Sequence, residues 1–150
     1  MYDSTKDTLE HIEHVRDMID EVMLILRHRS AVHDESKLEE PEKKIFDRMT
    51  PRLAGSTYGS EEYKAMLAEM KPALDHHYER NRHHPEHYEN GIDGMTLIDV
   101  LEMLLDWKAA TLRHGDGSIY NSLKINRERF GISDQLNNIL LNTVCELWGG

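Results

Sequence analysis

A chain of 150 residues, 39% hydrophobic and 31% charged, has the balance of a soluble globular domain long enough to bury a core. Its 18 basic and 28 acidic side chains leave a net charge of −10 with histidine neutral, which argues against a broad basic face for holding nucleic acid. One cysteine, Cys145, excludes an internal disulfide and fits a reducing cytoplasm, and no apolar run approaches membrane-spanning length.

Met1 to Glu10 is polar and acidic, without a signal-peptide apolar stretch, so the expected location is cytoplasmic. From about Ser4 to Arg27, Leu9, Ile12, Val15, Ile19, Val22 and Leu26 recur at three- and four-residue steps and predict a long amphipathic helix. At about 100° per residue His11 falls on the edge of that stripe, whereas His14 and His28 point away from it. Taken alone, His11 reads as a core-edge histidine bonded to a carbonyl. Ser30 to Leu38 reads as a short helical turn with the dipeptide His33-Asp34 near its start. Adjacent residues carrying an imidazole nitrogen and a carboxylate oxygen form a ready bite for a divalent metal that accepts mixed ligands.

Glu39 to Arg48 continues as a charged helix, with Pro41 tolerable in its first turn. Thr50 to Gly59, rich in Pro, Gly, Ser and Thr, reads as a loop that serves as a plain connection or as a lid. Ser60-Glu61-Glu62 opens another helix with Tyr63, Met66, Leu67, Met70 and Leu74 as its buried stripe. If the helical phase survives Pro72, His77 follows that stripe and His76 does not; a kink reverses the two. Of ten histidines, six lie between Asp75 and Tyr88 or at His33, far above ordinary usage. Arg80 to Gly94 has little apolar content and contains Asn90-Gly91 and Asp93-Gly94, so it reads as a loop. Such a loop carries substrate-contacting groups or is simply solvated.

Thr96 caps the most hydrophobic segment, Leu97 to Leu112, where Asp99, Glu102, Asp106 and Arg113 gather on one narrow face. A helix this apolar is expected to be central, and its carboxylates then need partners; a metal ion would satisfy Asp106. Gly115-Asp116-Gly117 ends the segment. Ser118 opens a helix through about Arg129 with Ile119, Leu123 and Phe130 buried. Ser133-Asp134 caps a last one whose inner face is Leu136, Ile139, Leu140, Thr143 and Leu147, with Cys145 packed in the core. Leu136, Ile139 and Leu140 would equally serve a homo-oligomer face, core being the default. No strand-like alternation and no internal repeat appears. The expected fold is all-α, one domain over residues 1–150 with five or six helices.

The order His11, His33-Asp34, Asp106 resembles the HD-domain superfamily of metal-dependent phosphohydrolases, over a span from Thr8 to Thr111. It rests on Thr8-Leu9-Glu10-His11-Ile12-Glu13-His14-Val15, on the His-Asp pair, and on Leu105-Asp106-Trp107-Lys108-Ala109. The resemblance implies an all-helical fold in which His11, His33, Asp34 and Asp106 bind one metal. His76 and His77, with Glu79 and Asn81, look like the extra histidines of dinuclear members, which implies a second ion held among His76, His77, His83 and His84. More closely, His33-Asp34-x-Ser36-Lys37 with His76-His77 and Asn81-x-His83-His84-Pro85-Glu86-His87-Tyr88 resembles a small family from phages and bacteria that carries no assigned activity. Two departures stand out: the extra histidines crowd into nine residues, and Lys37 stands where some nucleotide-cleaving members carry an acid.

A site of this kind keeps open positions for water and substrate, lowers the pKa of the water and polarises a phosphoryl oxygen. The expected function is hydrolysis of a phosphoester in a small phosphorylated substrate, such as a nucleotide, with one or two ions of Mn, Fe, Co, Ni or Zn. Asp34 and Lys37 are the expected catalytic residues. Lys37, Asn81, His83, His84, Lys108 and Arg113 are the expected phosphate and sugar contacts; Lys37 otherwise reads as an exposed lysine paired with Glu40 or Asp34, and Arg113 as a partner of the acids on its face. A di-iron oxygenase on the same scaffold, or a non-catalytic helical protein that holds a metal or nucleotide, are the alternative readings.

Overall fold

The structure, a computed structural model, describes residues 2–54, 61–113 and 117–149. Among these the chain is all-α. Six helices follow in order: α1 (Thr5–Val32), α2 (Glu42–Ala54), α3 (Glu61–Arg80), α4 (Leu97–Thr111), α5 (Ile119–Phe130) and α6 (Asp134–Trp148). Short 3₁₀ turns occupy Glu35–Leu38, Pro85–His87 and Gly91–Gly94. None of the described helices is long and apolar enough to cross a membrane.

The chain forms two compact units, Met1–His33 and Asp34–Gly150. The first is α1, which runs past the expected end at Arg27 and takes in Ser30 to Val32. Its apolar stripe is present in the sequence, but this unit holds no second helix on which to cover that stripe. No residue of α1 is buried.

The second unit has two apolar clusters. In one, Met49 of α2 packs on Met66 and Met70 of α3, with Ile45, Phe46 and Leu74 around them. Met49 is fully buried, and its packing carries α2 through Pro51 to Ala54, beyond the predicted end at Arg48. Residues 55–59 of the expected loop, and with them its role as a lid, lie outside the described residues, as does the Tyr63 side chain. α3 stays in phase through Pro72, so Met66, Met70, Ala73 and His77 fall on one buried face at three- and four-residue steps. His77 therefore points inward, and His76 sits half-buried beside it.

In the other cluster Leu104 of α4, Ile119 and Leu123 of α5, Ile132, and Leu140 and Val144 of α6 interlock. Thr96 and Asp99 form a capping box at the start of α4. The predicted stop at Gly115-Asp116 lies outside the described residues. Gly131, at φ +63°, ends α5 in the left-handed region that favours glycine, and the turn delivers Ile132 into the core. Two expectations are corrected in α6. Its buried line is Asn137, Leu140 and Val144, while Ile139 and Leu147 face out; the apolar residues of this helix cover a broad arc, so periodicity leaves its phase open within that arc. Cys145 is exposed rather than packed in the core.

Candidate metal centre

The site starts at Asp34, the first residue of the second unit. Its backbone is left-handed, at φ +57° and ψ 14°, a conformation that aspartate tolerates better than most side chains. The Lys37 N–H donates to the Asp34 carbonyl at 2.9 Å and closes the turn. The Lys37 ammonium pairs with Oδ2 of the same residue, so this lysine neutralises the site carboxylate. Asp34 Oδ1 faces inward, 3.3 Å from His77 Nε2 and 3.5 Å from His83 Nε2.

Each of these imidazoles is backed by a buried carboxylate. His77 Nδ1 lies 2.9 Å from Glu42 Oε2, and His76 Nδ1 lies 2.7 Å from Glu42 Oε1. Glu42 is completely buried. A carboxylate accepts, so it receives the Nδ1 proton and turns Nε2 of His77 toward Asp34. His83 repeats the arrangement with Nδ1 3.4 Å from Glu102 Oε1 and Nε2 toward Asp34. Glu42 stands in a run of charged residues with nothing in the sequence to single it out. Glu102 was marked by its place among leucines.

The loop after α3 supplies His83 and His84, and a set of polar contacts holds it down. The Asn81 amide donates to Ser36 Oγ and to the His77 carbonyl, both at 2.8 Å, tying the Asp34 turn to the end of α3. His87 Nδ1 donates to the Tyr78 carbonyl at 2.8 Å. Tyr88 donates to Asp99 Oδ2 at 2.7 Å, and Arg82 reaches the same oxygen at 3.4 Å. A stretch with few apolar residues thus becomes ordered, with Asn81, His83 and Pro85 buried.

The resulting group is Asp34, His77, His83 and His84, which offer ligand atoms within 4.8 Å of one another; Asp34, His83 and Asp106 form an overlapping group by the same measure. His77 Nε2 and His84 Nε2 approach to 2.9 Å. Burial first, then the neighbouring His83 and His77, pushes the His84 pKa down to about 3, so its imidazole is neutral at physiological pH. The donor set fits a divalent metal. Edges of a shell with metal–nitrogen bonds of about 2.1 Å measure roughly 3.0–3.4 Å, close to the separations between His77 and His84 and between His77 and Asp34.

The other predicted residues fall as follows. His33 is half-buried and closes the first unit immediately before Asp34; His11 is an exposed residue of α1. Asp99 serves the α4 cap and Tyr88, Glu102 faces His83, and Asp106 reaches the ligand group, so the carboxylate face of α4 divides among three tasks. Arg113 is an exposed residue in the turn beyond Thr111 and does not continue that helical face. The Lys108 ammonium lies 5.5 Å from the centre of the Trp148 ring.

Beside the ligand group is a cavity of about 270 Å³ whose wall includes His84, Asp106, Tyr78, Trp107, Asn126 and Arg129. Asn126 and Arg129 were not anticipated, because α5 gave only a core signal.

Fold and donor set together describe an all-helical protein with a buried group of three imidazoles and a carboxylate able to hold a metal. The chain belongs to DUF5662, a family of unknown function, matched over residues 1–146. No curated protein and no solved structure matches it.

Proposed function

We propose that this protein is a metal-dependent phosphohydrolase that cleaves a phosphoester in a small phosphorylated molecule, a nucleotide or a related compound. The observation that carries this reading is the 2.9 Å approach of His77 Nε2 to His84 Nε2 beside Asp34, next to a cavity that contains a guanidinium. Two neutral nitrogens facing each other share one hydrogen bond at most, whereas a cation uses both lone pairs.

Asp34, His77, His83 and His84 would hold the ion, with Asp106 at its edge. When bound, the ion supplies Lewis acidity to a phosphoryl oxygen and to water. The chain supplies the rest. Glu42 and Glu102 keep the Nε2 atoms of His77 and His83 unprotonated and aimed. Burial keeps His84 neutral. Lys37 shares Asp34, and Arg129 puts a positive group on the substrate side. Mn, Fe, Co, Ni and Zn all suit such ligands. A chain with one exposed cysteine is suited to a reducing cytoplasm.

Elemental analysis of the purified protein, followed by a phosphate-release screen over nucleotides and sugar phosphates, tests the proposal. Release by the metal-loaded protein that disappears in D34A and H77A supports it. Metal binding without release, or release that both variants retain, defeats it. Two equivalents of iron with an oxygen-sensitive optical band would instead favour the di-iron oxygenase.

A further inference from the structure

The cavity between α4 and α5 has a chemical character of its own. One wall is His84 and Asp106, which belong to the ligand groups. Arg129, Tyr78, Asn126 and Trp107 line it as well, and the Tyr78 ring lies 5.1 Å from that of His84. Arg129 Nη2 lies 2.7 Å from Glu86 Oε1, a pair at the rim whose arginine side chain is more than half exposed. An incoming anion could take over this guanidinium without burying a lone glutamate, since Glu86 is at the surface. Asn126 donates to Ser122 Oγ at 3.3 Å, a weak internal bond that leaves its carbonyl and second N–H for a ligand.

Size and ring geometry narrow the occupant. A volume of about 270 Å³ lies just under the range of about 300–1,000 Å³ typical of drug-sized ligands. The Trp107 and Phe130 rings are nearly parallel, at 4°, with centroids 6.1 Å apart. A base sandwiched between them would need two stacking gaps of about 3.5 Å each, more than this spacing offers. One ring face beside an amide and hydroxyls suits the C–H face and hydroxyls of a sugar.

We infer that this cavity binds a phosphorylated sugar or polyol, with its phosphate between Arg129 and the metal group and its hydroxyls on Asn126 and Tyr78, and that it does not engage a nucleobase. The inference rests on the metal reading, because Asp106 and Glu86 outweigh Arg129 in charge until a cation is present. It refines the expected nucleotide substrate to its sugar-phosphate portion.

The test is calorimetric titration, in two stages, on the full chain. Mn²⁺ is titrated first into wild type, R129M and R129K. All three should bind it equally, since Arg129 lies outside the ligand group; if wild type takes no Mn²⁺, the metal reading fails and this inference with it. Inorganic phosphate, ribose 5-phosphate and adenosine monophosphate are then titrated into the Mn²⁺-loaded proteins. Ribose 5-phosphate should bind at least about tenfold more tightly than phosphate, and adenosine monophosphate no more tightly than ribose 5-phosphate. R129M should lose about ten- to hundredfold for the sugar phosphate, the usual effect of removing a charge-assisted contact, and R129K should recover part of it. Equal binding to wild type and R129M, or a gain of tenfold or more from the adenine, overturns the inference while the metal reading stands. N126A provides an independent check: it should weaken ribose 5-phosphate and leave inorganic phosphate unchanged, and equal effects on both would remove the sugar assignment.

Discussion

Glu42 Oε2 sits 2.9 Å from His77 Nδ1, and the other oxygen of the same completely buried carboxylate sits 2.7 Å from His76 Nδ1. One acid at the start of α2 therefore sets the orientation of two imidazoles at the end of α3. Carboxylates that hold the outer nitrogen of a metal-ligating histidine typically contribute about 10–100-fold to metal affinity. Glu42→Gln should weaken Mn²⁺ or Zn²⁺ binding by that order, with helical circular dichroism retained because the amide keeps the shape. A competition titration with a chromophoric chelator reads the change. An unaltered affinity would reduce Glu42 to a packing role.

Glu102→Gln tests the second imidazole separately. Glu102 Oε1 lies 3.4 Å from His83 Nδ1, a longer contact than that of Glu42 with His77. Its substitution should lower metal affinity by less, about tenfold. A double variant that loses no more than the stronger single one would show that the two imidazoles do not serve one ion.

His84 gives the pH dependence. Burial, helped by His83 and His77, holds its pKa at about 3, below the 6.5 of an unfolded histidine. Between those values the unfolded chain takes up a proton that the folded chain refuses. Stability of the metal-free protein attributable to this residue is thus complete above about pH 6.5 and falls as the pH drops toward 3. Urea midpoints measured from pH 7.5 to 4 should decline more steeply for wild type than for His84→Gln. Parallel curves would contradict the burial of this imidazole.

Lys37 separates two roles for one lysine. Its ammonium already pairs with Asp34 Oδ2, where it competes with a metal for the carboxylate. Lys37→Met should therefore leave metal affinity unchanged or raise it a few-fold, by removing a nearby positive charge. If Lys37 also contacts the phosphoryl group, the same variant loses turnover. A fall in metal affinity would mean that the lysine positions Asp34 rather than opposing the ion.

Two leucines on nearly the same face of α4, one in its first turn and one in its middle, make a stability test. Leu104 is buried at 1% exposure, whereas Leu97, in the same helix, is 82% exposed. Leu104→Ala should cost about 2–5 kcal/mol, and Leu97→Ala within about 0.5 kcal/mol. Chemical denaturation followed by the fluorescence of Trp107 and Trp148, both in the second unit, distinguishes them. Similar losses would mean that the first turn of α4, which carries Leu97, is covered in solution.

Much of the fold was written in the order of residues. Helical periodicity, the Thr96, Ser118 and Ser133 caps and the continuous stripe from Met66 to His77 need only neighbours within a few turns, and local chemistry governs them. Local pattern also marked His77 on its buried stripe and Asp106 among leucines, and the His33-Asp34 dipeptide as a metal bite, whereas His83 and His84 entered only through the HD-domain resemblance.

Tertiary structure decided the rest. The phase of α6 depended on which side met Leu104 and Leu123, since its apolar arc is broader than the line the core covers. The burial of His83 in a polar loop depended on Asp99, Tyr88 and Arg129 reaching across to pin that loop. Glu42, 34 and 35 residues before the histidines it orients, has no local signal at all. Local periodicity reports which side of an element is apolar; only the assembled chain determines which distant polar groups meet there, because desolvation is charged to the group as it is finally packed.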